Sequence, residues 1–179
     1  MPHRHGTPAE PLVRAWLEGA LEAAPPAAPF ARSARGRPLA GPCHAGLDLN
    51  WSHSGEGLLV AVGLGIRVGV DLEYLRPRPR ALPLARRFFT AQEAWLLEAM
   101  AEGAREAAFV RLWCAKEAVL KAHGEGLSFG LHRLEFACRG EDWTLVACDP
   151  ALGPAEAWTV HAFVPAPGYL ASLAWAPAR

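Results

Sequence analysis

One stretch near the middle of the chain organises the rest of it: Ile66-Arg67-Val68-Gly69-Val70-Asp71-Leu72-Glu73. Apolar residues recur at every second position, and this pattern predicts a β-strand that ends in two acidic residues. Side chains alternate between the two faces of a strand, so Asp71 and Glu73 project from the same face. The strand therefore predicts a pair of carboxylates on one side of a sheet.

A second stretch, Arg111-Leu-Trp-Cys-Ala-Lys-Glu-Ala-Val-Leu-Lys121, predicts a helix. Residues four apart are neighbours on a helix, so Glu117 and Lys121 share a face. If this helix packs on the strand, three carboxylates and one ammonium group converge. Crowded carboxylates repel one another, and a hard divalent cation such as Mg²⁺ relieves that repulsion while leaving positions for phosphate oxygens. Together the two stretches predict metal-assisted phosphate chemistry.

Each acidic pair also has an ordinary structural interpretation. Asp71 and Glu73 could be solvated charges where a strand meets a loop, and Glu117 with Lys121 could be a surface ion pair worth about 0.3–0.5 kcal/mol. The helix face that carries Glu117 also carries the apolar Trp113. That face should be partly buried, so its charges need partners.

Composition excludes several classes of protein. The chain has 179 residues, 51% of them hydrophobic, with a formal net charge of zero, so no global field favours nucleic acid. No apolar run approaches the ~20 residues of a membrane span, and the N-terminus lacks the apolar core of a signal peptide, so we expect a cytoplasmic protein that does not bind membranes. The four cysteines form no CxxC pair, which favours reduced, buried thiols over a zinc or redox motif: Cys43, Cys114, Cys138 and Cys148.

Capping signals predict three helices. Thr7-Pro8-Ala9-Glu10 resembles a capping box that opens a first helix ending before Pro25, and residues 22–46 are expected to form a loop. Thr90-Ala-Gln-Glu93 is a second capping box, whose helix stops at Gly103. A longer helix is expected over about 105–123, with Gly124 as its C-terminal stop.

Short β-branched runs between glycines and prolines predict several strands. They fall at residues 47–52, 58–62, 66–70, 131–138, 143–148, 157–164 and 168–175. The strands and helices are interspersed, and the expected hairpins favour an α+β fold over a doubly wound parallel sheet. The Pro-Arg alternation of Arg76-Pro-Arg-Pro-Arg80 is incompatible with a helix interior or a central strand, because proline lacks an N–H group.

Other candidate residues carry alternatives that the sequence leaves open. Glu93 is either the capping residue of its box or an accessory residue of the site. His53 and Arg37 are either ordinary surface residues or ligands of a phosphate. The arginine cluster at 76–87 is either a solvated face or a docking surface for an acidic partner.

Four motifs in order resemble the 4′-phosphopantetheinyl transferase superfamily, and in particular its longer, two-lobed type. They are Trp51-Ser-His-Ser-Gly55, Gly69-Val-Asp-Leu-Glu73, Arg87-Phe-Phe-Thr-Ala-Gln-Glu93 and Trp113-Cys-Ala-Lys-Glu-Ala-Val-Leu-Lys121-Ala-His-Gly-Glu-Gly126-Leu. The resemblance implies transfer of phosphopantetheine from coenzyme A to a serine of an acyl or peptidyl carrier protein, with release of adenosine 3′,5′-bisphosphate. It also implies two similar lobes, each a small antiparallel sheet packed with helices. We expect a shortened N-terminal lobe at 1–67 and a C-terminal lobe with the metal site at 68–179.

The resemblance further implies roles for individual residues. Asp71, Glu73 and Glu117 are expected to bind Mg²⁺. In catalysis, Glu117 is expected to act as the base, and Lys121 is expected to stabilise the leaving group. Coenzyme A is expected to contact Arg37, Ser52, His53, Asp71 and Lys121. Docking of the carrier protein is expected at Arg76, Arg78, Arg80 and Arg86.

Two-lobed relatives usually have more chain ahead of the first helix. Only a few residues precede it here, so a first strand and a basic segment are expected to be missing, with His3 and Arg4 as weak substitutes. This leaves three alternatives. The nucleotide end of coenzyme A is held less tightly, or the true start of the protein lies upstream, or the protein is not a monomer and a second copy completes the lobe.

Two other functions compete with the transferase. One is a metal-dependent nuclease, which the neutral charge and the helical spacing of Glu117 and Lys121 disfavour. The other is a non-catalytic module that binds carrier proteins, which the presence of all three carboxylates and Lys121 disfavours.

Overall fold

The computed structural model describes residues 1–3, 6–21, 30–41, 44–140 and 142–178. The expectations for Arg4, Cys43 and residues 22–29 lie outside these ranges. The helices are α1 (Glu10–Ala20), α2 (Ala81–Phe88), α3 (Ala91–Ala99) and α4 (Glu102–His123). The strands are β1 (Ala31–Arg32), β2 (Pro38–Leu39), β3 (Leu47–Ser54), β4 (Gly57–Leu64), β5 (Ile66–Tyr74), β6 (Leu134–Arg139), β7 (Asp142–Cys148), β8 (Thr159–Phe163) and β9 (Tyr169–Pro177).

All the strand pairs within these ranges are antiparallel. β5, β9 and β8 form a three-stranded sheet in that order, while β1–β2, β3–β4 and β6–β7 are two-stranded. Small antiparallel sheets packed with helices confirm the predicted α+β class. The predicted lobe boundary between residues 67 and 68 falls inside β5 and stays a prediction.

Helix α4 packs across one face of β5 and β9. Its buried residues join the largest apolar cluster, together with residues of α2, α3, β6, β7 and β9. Gly69 permits this close approach, because a Cβ atom there would lie 2.1 Å from the carbonyl oxygen of Ala118 and 2.3 Å from the backbone nitrogen of Ala122. The glycine thus sets the distance between β5 and the part of α4 that carries Glu117 and Lys121.

Side chains rather than a backbone ladder join β3 to β5. The backbone N–H groups of β5 are the donors, and the acceptors are three polar side chains of β3. Val68 N donates to Asp48 Oδ2 (2.7 Å), Val70 N to Asn50 Oδ1 (2.9 Å) and Tyr74 N to Ser54 Oγ (3.0 Å). The constant offset of 20 residues means that the two strands run in the same direction side by side. This junction connects the β3–β4 hairpin to the three-stranded sheet.

Three local expectations were wrong, and one helix was missed. The stretch at 22–46, expected to be a loop, contains β1 and β2. Thr7 does not cap α1, because the helix begins at Glu10, with Ala9 at the N-cap and no side-chain cap. Helix α2 was not predicted, since it spans only eight residues and follows a proline-rich segment. Residues 131–133 form a 3₁₀ turn rather than the start of β6.

A short paired segment precedes α1, and it is an isolated β-bridge rather than a strand. Pro2 forms an antiparallel bridge with Gly57, the Met1 amino group donates to Leu58 O (2.8 Å), and His3 N donates to Glu56 O (2.7 Å). Met1, Pro2 and His3 do not form the alternating pattern of a strand, so the sequence did not reveal this pairing.

Candidate active site

The close packing of α4 on β5 brings the predicted carboxylates and lysine together. Lys121 Nζ donates to Asp71 Oδ1 (2.7 Å), to Ser52 Oγ (3.0 Å) and to Val70 O (3.2 Å). Ser52 Oγ in turn donates to the same Asp71 oxygen (2.9 Å). One lysine, one aspartate and one serine from α4, β5 and β3 therefore form a single hydrogen-bonded group.

Glu117 lies beside this group and is almost completely buried, with 6% of its surface exposed. Burial, and then the negative charge of Asp71, raise the pKa of Glu117 to about 7, while Lys121 partly offsets them. A carboxyl group with such a pKa can exchange a proton near neutral pH. Its neighbour one turn earlier, Cys114, is buried too, and burial raises the pKa of that thiol well above its ordinary value.

Glu73 is engaged differently. Its Oε2 accepts from Arg78 Nη2 at 2.5 Å and from Ser54 Oγ at 3.3 Å. Sequence reasoning assigned Arg78 to carrier docking and did not foresee this pair. The sequence does place Arg78 five residues after Glu73, across a turn, and this spacing permits a contact but does not require one.

Two buried oxygen atoms bear on the predicted metal site. Asp71 Oδ2 and Glu117 Oε1 have no hydrogen-bond partner among the described residues. A hard cation bound by both would satisfy them, and the carboxylate donor set suits Mg²⁺. As the side chains stand, no three acidic, histidine or cysteine residues in the described ranges are grouped closely enough to hold a metal ion. Two of the three predicted ligands thus have a free oxygen for a cation, and Glu73 has its Oε2 bonded to Arg78.

A basic cleft of about 230 Å³ opens beside Lys121. Its lining includes arginine, aromatic and glycine residues: Arg32, Arg35, Gly36, Arg37, Pro38, Asn50, Trp51, Lys121, Gly124 and Gly126. Guanidinium groups can bind anions, and in this cleft Arg32 is paired with the carboxylate of Glu10 (2.5 Å) and Arg35 with that of Glu125 (3.1 Å). Arg32 and Arg35 were not singled out from the sequence. With Arg37 they form a cluster of three arginines within six residues, which could have indicated a basic site.

Arg37 lines the cleft, but its guanidinium group is largely engaged in the protein. It pairs with Asp48 Oδ2 (2.5 Å) and donates to Val68 O (2.7 Å) and to the carbonyl oxygen of Lys121. Arg37 therefore ties the loop before β2 to β5 and to the end of α4. Its predicted contact with a phosphate stays a prediction.

His53 is exposed on β3, and its ring lies 4.8 Å from that of His3, measured between centroids. His3 is buried, and its Nδ1 has no partner among the described residues. The N-terminal segment thus reaches the predicted coenzyme A residues through an imidazole pair.

Glu93 lies away from the carboxylate group, in a fully buried ion pair with Lys116. Glu93 Oε2 is 2.8 Å from Lys116 Nζ, and neither side chain has any exposed surface. Glu93 also accepts from the backbone N–H groups of Thr90 (2.9 Å) and Phe136 (2.8 Å), so the predicted capping box is confirmed. These contacts make Glu93 a link between α3, α4 and β6, and its accessory role stays a prediction.

The predicted docking arginines are divided between paired and solvated side chains. Arg86 forms an exposed pair with Glu98 (2.5 Å), and Arg78 is bound to Glu73. Arg76 and Arg80 are exposed, and neither guanidinium group pairs with an acidic side chain of the described residues. None of the helices that the structure describes has the length and apolar character of a membrane span.

Comparisons with known proteins identify the family of this chain. A family model, the 4′-phosphopantetheinyl transferase superfamily, matches residues 67–171, which carry β5 and α4. The 4′-phosphopantetheinyl transferase HetI of Nostoc sp. is 36% identical over 174 residues, covering 96% of this chain and 70% of the relative. The 4′-phosphopantetheinyl transferase psf-1 of Bacillus pumilus is 42% identical over 82 residues, covering 46% of this chain and 34% of the relative.

A solved structure, the holo-[acyl-carrier-protein] synthase of Thermotoga maritima, aligns with 64% of this chain and 65% of its own chain, at 22% identity and a TM-score of 0.48. The family match covers more than half of the chain, and the Nostoc relative matches almost all of it. The chain therefore belongs to the 4′-phosphopantetheinyl transferase superfamily.

Proposed function

We propose that this chain transfers the 4′-phosphopantetheine group of coenzyme A to a serine of an apo acyl or peptidyl carrier protein. The observation that carries the proposal is the convergence of Asp71, Glu117 and Lys121 beside a basic cleft, within a chain of this family. A carboxylate group with one lysine suits displacement at a pyrophosphate, where negative charge develops on the leaving group.

The proposed metal ligands are Asp71, Glu73 and Glu117. The buried, unpartnered oxygens of Asp71 and Glu117 support them, and Glu73 projects from the same face of β5 as Asp71. Mg²⁺, when bound, would neutralise pyrophosphate charge and favour departure of the nucleotide.

In the reaction, the serine oxygen of the carrier forms a bond with the phosphorus that bears pantetheine. The bond from that phosphorus to the bridging oxygen breaks, and adenosine 3′,5′-bisphosphate leaves. Lys121 donates a hydrogen bond to the departing phosphate, and the proton of the serine passes to Glu117, either directly or through a water molecule.

Coenzyme A would lie with its nucleotide end in the basic cleft. Arg32, Arg35 and Trp51 line that cleft and supply charge and an aromatic surface, and Lys121 lies where the cleft meets Asp71. Ser52 and His53 on β3 would contact the phosphates, as the family resemblance implies. The exposed Arg76 and Arg80 would meet acidic groups of the carrier protein.

The experiment is mass spectrometry of an apo carrier protein after incubation with this protein, coenzyme A and Mg²⁺. We expect the carrier to gain one phosphopantetheine group, and to gain none when the metal is omitted or with the Asp71→Ala variant. Asp142→Ala is the matched control, because it removes an exposed carboxylate on β7. Stable binding of the carrier with no transfer across fatty-acid, polyketide and peptide carriers would instead support a non-catalytic carrier-binding module.

A further inference from the structure

The pair between Glu73 and Arg78 joins the last acidic residue of β5 to the segment before α2. Both side chains are only 21% exposed, and the atoms Arg78 Nη2 and Glu73 Oε2 are 2.5 Å apart. Ser54 donates to the same oxygen, and no bond to Oε1 of Glu73 is recorded within the described ranges. Glu73 therefore has one oxygen held by the protein and one oxygen available.

The backbone of Arg78 is fixed as well as its side chain. Its N–H group donates to Glu106 Oε2 on α4 (3.0 Å), and its carbonyl accepts from the N–H group of Ala81, where α2 begins (2.8 Å). An arginine anchored at both its backbone and its guanidinium group can hold a carboxylate in one orientation. Arg76 and Arg80, two residues away on either side, are exposed, and their guanidinium groups hold no carboxylate among the described residues.

Carboxylates that bind a metal are usually held by a hydrogen bond to their second oxygen, and loss of that bond typically lowers metal affinity by about 10- to 100-fold. On this basis we propose that Arg78 is a positioning residue: it holds Oε2 of Glu73 and thereby presents Oε1 to the metal ion of the proposed function. The inference rests on that proposed function and concerns a residue that otherwise belongs to the docking segment.

Arg78 would have the opposite effect, weaker metal binding, if it only competed with the metal for Glu73. A guanidinium group near a cation repels it, so an arginine that merely competed for Glu73 would weaken metal binding, and its removal would strengthen it. The sign of the change on removing Arg78 therefore separates positioning from competition.

The test is titration calorimetry of Mg²⁺ into the protein with coenzyme A bound and no carrier protein present. We expect Arg78→Met to weaken Mg²⁺ binding by roughly tenfold or more. Arg78→Lys keeps the charge but not the forked donor, and its Mg²⁺ affinity should lie between those of the wild type and Arg78→Met. Arg80→Met removes the same charge two residues away and should change the affinity by less than about threefold, because exposed charges are screened.

Unchanged or tighter Mg²⁺ binding by Arg78→Met would overturn the positioning role while leaving the metal site in place. Loss of binding in Asp71→Ala, measured in parallel, shows that the heat comes from the proposed site. If the wild-type protein binds no Mg²⁺, the metal part of the proposed function fails, and the role of Arg78 fails with it.

Discussion

Lys116 offers the sharpest test of how the core is held together. Its ammonium group has no exposed surface and uses its three donors on Glu93 (2.8 Å), on Leu131 O (3.0 Å) and on Leu134 O (2.5 Å). The rings of Phe89 and Phe136 also lie 5.2 and 5.6 Å from Nζ. Lys116→Met fits a similar volume but leaves the Glu93 carboxylate without a counter-charge and two carbonyl groups without a donor.

Removing one partner of a buried ion pair typically costs about 3–5 kcal/mol. We therefore expect the free energy of unfolding of Lys116→Met to fall by about that amount in urea titrations at pH 7, followed by tryptophan fluorescence. Arg86→Met is the matched control, because it removes one partner of an ion pair with Glu98 in which both side chains are about half exposed, and it should cost about 1 kcal/mol or less.

The pH dependence of stability provides a second readout with a definite sign. Burial lowers the pKa of Lys116 to about 8, although Glu93 partly offsets the effect. Between about pH 8 and the ordinary pKa of 10.5, the unfolded chain keeps this proton and the folded protein does not, so stability rises with pH. The rise attributable to Lys116 is on the order of 3 kcal/mol over that window.

The Lys116→Met variant should lack this rise. The difference between wild type and variant removes the contributions of other groups, such as the Cys114 thiol. A loss below about 1 kcal/mol at pH 7 would refute the view that this pair holds the core together. Equal pH slopes for the two proteins would refute the lowered pKa of Lys116.

Three further predictions concern the site. Gly69→Ala should destabilise the protein by about 1–3 kcal/mol and reduce transfer further than stability explains, because its Cβ would lie 2.1 Å from Ala118 O and push α4 off β5; a wild-type transfer rate would contradict this. Glu117→Ala should abolish transfer without lowering the melting temperature, because burial of this carboxylate is poorly compensated; retained transfer would remove it from the mechanism. Reversing Arg76 and Arg80 to glutamate should raise the KM for the carrier protein and weaken its salt dependence, with kcat little changed, and an unchanged KM would place docking elsewhere.

The elements around the site were predictable because their signals are local. Alternation of apolar residues predicted β5, helical spacing and Gly124 predicted α4, and the Thr90 capping box predicted the start of α3; all three are confirmed. The pairing of Lys121 with Asp71, and the position of Glu117 beside them, followed from these elements once they packed together.

What escaped prediction depends on contacts between distant parts of the chain. Lys116 looks like a surface residue in the sequence, and its burial follows from Glu93, which lies on another helix. The contacts of the Arg37 guanidinium group with Asp48 and with backbone carbonyls of β5 and α4 were not foreseen, and its contact with a phosphate stays a prediction. No local pattern specifies which acid an arginine will meet across a fold.

The junction between β3 and β5 has a consequence for how this protein tolerates mutation. A ladder of main-chain hydrogen bonds survives almost any side-chain replacement, whereas this junction depends on the side chains of Asp48, Asn50 and Ser54. Each substitution at these positions would remove one attachment and leave a backbone donor of β5 unpaired. The alignment of the β3–β4 hairpin with the three-stranded sheet is therefore open to change by single mutations at these three positions.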